Sequence, residues 1–85
     1  MLIAENIQSE VSQIRERLDS ISSIAHTISD EIIEQAPTVI FGQASMEYMS
    51  MVKGKPSKYG MSIKELGILT DLLEKMYPKI STFLN

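Results

Sequence analysis

Residues 4–36 read AENIQSEVSQIRERLDSISSIAHTISDEIIEQA. Ala4, Ile7, Val11, Ile14, Leu18, Ile21, Ala25, Ile28 and Ile32 follow one another at spacings of three and four without a gap. Such a pattern is a heptad seam, with Val11, Leu18, Ala25 and Ile32 at a and Ile7, Ile14, Ile21 and Ile28 at d. Ile3 and Ile24 fall at g and widen the apolar stripe, which suits a helix packed on more than one neighbour. No glycine or proline interrupts the stretch, so the spacing predicts one continuous helix over about 2–35. At about 1.5 Å per residue it would be roughly 50 Å long. It would then lie along two shorter elements, along another chain, or both.

Those shorter elements can be read from local signals. Pro37 ends the first helix and suits the opening turn of a second over 38–53. Phe41, Ala44, Tyr48 and Met51 or Val52 are expected on its inner face, with Met46 and Met49 outside it, facing a subunit interface. Gly54 is placed to close that helix, and Gly42 within it suggests close approach or a kink. Ser62 and Glu65 form a capping box for a third helix over 62–77, and Met61 and Leu66 occupy the positions of a hydrophobic staple. Pro78 stops that helix, leaving a short turn over 79–84. The expected fold is all-α: one 85-residue domain, a long N-terminal amphipathic helix with two shorter helices, assembled as an oligomeric bundle.

Composition supports assembly. A domain this small buries only about 60–65% of its unfolded surface and commonly relies on disulfides, a metal or partners. Cysteine is absent and His26 is the only histidine, which leaves association as the remaining device. The same scarcity argues against catalysis, and no catalytic residue, metal ligand or cofactor is expected. Ser22, His26 and Asp30 stand at i, i+4 and i+8 but lack an oxyanion hole, and a solvated polar stripe is the simpler account. Apolar runs such as Val39-Ile40-Phe41 are far below the ~20 residues of a membrane span, and the first five residues do not resemble a secretory signal. A cytoplasmic protein without membrane contact is expected.

Charge is divided unevenly. Residues 1–36 carry seven acids and two bases, whereas residues 37–85 carry four acids and six bases. That asymmetry can steer an anion or pair the halves of neighbouring subunits. Lys53, Lys55, Lys58 and Lys64 stand together with no acid between them, and Tyr59 adds an aromatic face. Ammonium groups, loop amides and the helix N-terminus at Ser62 would suit a phosphorylated ligand, with Lys64 or Arg15 assisting. The plainer account of the same loop is a solvated turn. A net charge of -3, and no basic recognition helix after Ser62, exclude a nucleic-acid duplex as partner. Six methionines offer either core filling or an adaptable docking surface.

The stretch Ile40-Phe41-Gly42-Gln43-Ala44-Ser45-Met46-Glu47-Tyr48-Met49-Ser50-Met51, following a long amphipathic helix, resembles one helix of the phage anti-CBASS sponge proteins. The likeness covers about a dozen residues and carries over no ligand-contacting position. It implies a small, all-helical hexamer that sequesters cyclic oligonucleotide signals without cleaving them, with the ligand held between subunits. The expected function is therefore non-enzymatic, stoichiometric binding by a homo-oligomer. A cyclic nucleotide or other phosphorylated small ligand would meet Lys53, Lys55, Lys58, Tyr59 and Lys64, countering host antiviral defence. The alternative is a helical module that docks a partner protein as an adaptor or inhibitor.

Overall fold

A computed structural model describes residues 4–84, with the side chains of residues 7–82. These residues form helices and turns, with no strand among them. In chain order they are α1 (Ala4–Ile21), a 3-10 turn (Ala25–Thr27), α2 (Asp30–Ile33), α3 (Pro37–Val52), α4 (Ile63–Met76) and a closing 3-10 turn (Ile80–Leu84). Ile3 of the predicted stripe lies outside the described residues.

The single helix expected over 2–35 is broken. α1 stops at Ile21, and the chain turns through Ala25–Thr27 into the one-turn α2. Residues 20–29 hold four serines, a threonine and three isoleucines, all weaker helix formers than the Arg-Glu-Arg-Leu run before them. Their hydroxyls also take backbone groups that a helix would use. Ser22 Oγ accepts from the Ile24 N–H at 3.2 Å. Arg15 then fastens the turn to α1: its guanidinium donates to the carbonyls of Ala25 at 2.8 Å and Ile28 at 3.3 Å, and pairs with Asp30.

Folding back lets both halves of the heptad pattern reach one core. Ile14, Leu18, Ala25, Ile28 and Ile32 are all buried, together with Ile33. Ile21, at the breakpoint, is left 57% exposed although it holds a d position. Replacing Arg15 by Ala should lower stability by about 1–3 kcal/mol, because the carbonyls it serves lose a charged donor. Asp30→Ala should cost under about 1 kcal/mol, since that carboxylate is largely exposed. Thermal unfolding of the two variants tests the difference.

α3 begins with Pro37 in its first turn, where the missing N–H costs nothing. Pro37, Ile40, Phe41, Ala44 and Glu47 form its buried face. Tyr48 and Val52, expected inside, are exposed, because Ile40 and Glu47 set the inward direction instead. The helix runs unbroken through Gly42. Its C-terminus closes in a Schellman motif: Lys55 N–H donates to the Ser50 carbonyl at 3.0 Å and Gly54 N–H to Met51 at 2.9 Å. Gly54 has φ +94°, which a residue with a Cβ adopts only under strain.

α4 carries the full capping box between Ser62 and Glu65. Met61 and Leu66 are both buried, as a staple requires. Leu66, Leu69, Leu72 and Leu73 turn its apolar stripe inward. α3 packs most extensively against α4, and α1 also lies on α4. Beyond Pro78 the closing turn returns Ile80 to the core. No helix among the described residues is long and apolar enough to cross a membrane.

Candidate functional site: the basic loop and the helix ends beside it

The loop between α3 and α4 is shaped by one carboxylate. Glu47 is the only charged residue of α3 and it is buried. Its Oε1 accepts from the Ser57 hydroxyl at 2.6 Å and from the Lys58 N–H at 2.9 Å. Ser57 Oγ in turn accepts from the amides of Tyr59 at 3.1 Å and Met61 at 3.2 Å. A single acid on the inner face of α3 thereby organises the whole loop. The sequence carried one signal for it, a lone charge in an otherwise uncharged helix.

Lys53, Lys55, Lys58 and Lys64 are all exposed. Tyr59 is half-buried, its hydroxyl donating to Gln43 Oε1 at 3.1 Å, which lays the ring against α3. Lys58 Nζ stands 5.5 Å from the centre of that ring, within cation–π range. The amides expected to face an anion are engaged: those of Lys55, Lys58, Tyr59, Gly60 and Met61 all donate within the protein. Arg15, expected to assist, is committed to the turn after α1. What the loop offers is a set of ammonium groups around a partly covered tyrosine.

The N-terminus of α4 is also occupied. Glu65 Oε1 accepts from the Ser62 N–H at 3.0 Å, while the Glu65 N–H donates to Ser62 Oγ at 3.1 Å. Thr27, from the turn after α1, places its hydroxyl 2.7 Å from Glu65 Oε2. Burial pushes the Glu65 carboxyl up, but hydrogen bonds from Thr27 and from the Ser62 amide and hydroxyl outweigh it. The net position is below the ordinary 4.5. A carboxyl lowered on folding contributes stability that is present above its unfolded value and lost as pH falls through the folded one. Acid titration of stability should therefore show a component below pH 4.5 that disappears in Glu65→Gln.

The polar stripe Ser22, His26 and Asp30 does not stack, because the helix that would align it ends at Ile21. Asp30 pairs with Arg15, and His26 is exposed in the 3-10 turn. Among the described residues no cluster of three or more His, Asp or Glu side chains is placed to hold a metal ion. The methionines divide: Met61 is buried, Met51 and Met76 are half-buried, and Met46 and Met49 are exposed.

A feature absent from the sequence reading is a groove of about 530 Å³ where α1, the start of α3 and the end of α4 meet. Pro37, Met76, Tyr77, Pro78 and Ile80 form its walls, with Glu10 beside them. Burial raises the Tyr77 phenol above its ordinary value, Glu10 adds to the rise, and Arg17 opposes it. Pro78, which turns the chain out of α4, was its one sequence signal.

No family model matches the chain, and no curated protein or solved structure matches it.

Proposed function

We propose that this chain is a non-enzymatic helical protein that acts in the cytoplasm by stoichiometric binding, as a homo-oligomer. The observation that supports this most strongly is the outer face of α3. It is exposed and apolar, and carries no charged side chain between Pro37 and Val52, since Glu47 points inward. A helix with apolar residues on opposite sides is suited to burial on both. The division of charge between acidic N-terminal and basic C-terminal halves supports association as well.

In the sharper form of this reading the ligand is a cyclic nucleotide or other phosphorylated small molecule. Lys53, Lys55, Lys58 and Lys64 would neutralise its phosphates, and the Tyr59 ring would stand beside its base. Its removal from solution would counter host antiviral defence, as the resemblance to the phage anti-CBASS sponges implies. The concentration of four exposed ammonium groups on one loop and helix start favours it. A second reading, a module that docks a partner protein, is favoured by the engaged loop amides, which leave no backbone cradle for phosphate at those positions.

Native mass spectrometry of the full chain, with and without linear and cyclic nucleotides, separates the two. Ligand mass gained in fixed ratio to an oligomer, and lost in the Lys55→Ala/Lys58→Ala double variant, is the expected result for sequestration. Retained binding in that variant would overturn the loop assignment, and no binding by the wild type would favour the docking module.

A further inference from the structure

The inner face of α3 belongs to the core, but its outer face repeats the same grammar. Val39, Gly42, Met46, Met49 and Lys53 recur at spacings of three and four, a short heptad seam opposite the buried one. Met46 is 68% exposed and Met49 61%. Val39 is exposed too. We propose that this seam pairs antiparallel with the same seam of a second copy, about a two-fold axis close to Met46. The proposal rests on the homo-oligomer reading and adds to it the surface and the orientation.

Two-fold pairing brings a patch against itself, so a patch that carries charge at its centre repels its own copy. The seam positions before Lys53 carry none; the acids Asp71 and Glu74 of α4 stand to one side, lining a cleft with Met49. The chain segments that enter and leave α3 are oppositely charged, although Glu34 also lines a cleft with Ile7 and Val11 of α1. Exposed Glu31 and Glu34 stand just before Pro37, and exposed Lys53 and Lys55 stand just after Val52. Parallel pairing would set lysine ends together and glutamate ends together. Antiparallel pairing sets the glutamate end of each copy beside the lysine end of the other, and it opposes the two helix dipoles. Heptad spacing favours a shallow crossing of about 20°, and Gly42 on the seam allows the helices to approach closely. In this register Val39 of one copy lies beside Lys53 of the other, and the two Met46 side chains meet.

The chain has no cysteine, so single cysteines report the geometry without background. Met46→Cys, at an exposed position that leaves the core untouched, should form a covalent dimer in most molecules under mild oxidation. Val39→Cys and Lys53→Cys should each cross-link poorly alone, and at least several-fold better when mixed. Met46→Lys should weaken association by about 100-fold, with helical circular dichroism unchanged, because two ammonium groups are forced together at the axis. Efficient cross-linking of Val39→Cys with itself would overturn the antiparallel orientation. A wild-type oligomer that survives Met46→Lys, with no Met46→Cys cross-link, would overturn this surface while leaving the homo-oligomer standing. A wild type that stays monomeric at all concentrations, its α3 face free for a foreign apolar helix, would overturn both.

Discussion

Ile28→Ala should lower stability by about 3 kcal/mol, and Ile21→Ala by no more than about 0.5 kcal/mol, although both isoleucines occupy d of the same heptad pattern. Ile28 is fully enclosed after the fold-back, and Ile21 is more than half exposed at the point where α1 ends. Truncating Ile28 leaves a cavity that the surrounding Ile and Leu side chains fill only in part. Truncating Ile21 removes surface already in water, and alanine is the better helix former there. For a domain of this size, 3 kcal/mol corresponds to a fall in Tm of roughly 15 °C. In a single unbroken helix with one continuous seam, the two variants would lose similar amounts. Thermal or urea unfolding of the pair therefore tests the turn at 22–29 directly, and equal losses would contradict it.

The second large effect concerns Glu47. Glu47→Ala removes the acceptor of both the Ser57 hydroxyl and the Lys58 N–H, and should cost about 2 kcal/mol. The damage should be local. Amide exchange at Lys58, Tyr59 and Met61 should accelerate by about 10–30-fold, because all three amides depend on the Glu47–Ser57 arrangement. Glu47→Gln keeps an oxygen acceptor at the same place and should show less than half the loss. Unchanged exchange at these amides in Glu47→Ala would show that the loop is held by other means.

Local devices explain which parts of the fold could be read from the sequence. The Ser62–Glu65 box, the Met61–Leu66 staple, Pro37 and Gly54 each act within a few residues, so spacing alone locates them. The break after Ile21 was hidden for a physical reason. A three-four apolar pattern survives a turn when both halves reach the same core, so periodicity records burial and not continuity. Its signals were non-periodic: the serine and threonine density over 20–29, and one arginine, Arg15, whose partners lie 10 to 15 residues on.

At the candidate site, the exposure of Lys53, Lys55, Lys58 and Lys64 followed from the loop's polarity. The engagement of its amides did not. That depends on Glu47, which reaches the loop from the inner face of a helix ten residues earlier, and on Glu65, which fills the end of α4. Met46 and Met49, expected outside the inner face of α3, are exposed.

Self-association is tested by sedimentation equilibrium of the full chain over a hundredfold range of concentration. The expected result is a defined oligomer whose mass is an integral multiple of 9.5 kDa, dissociating towards one chain on dilution. A single species with the mass of one chain at every concentration would contradict it.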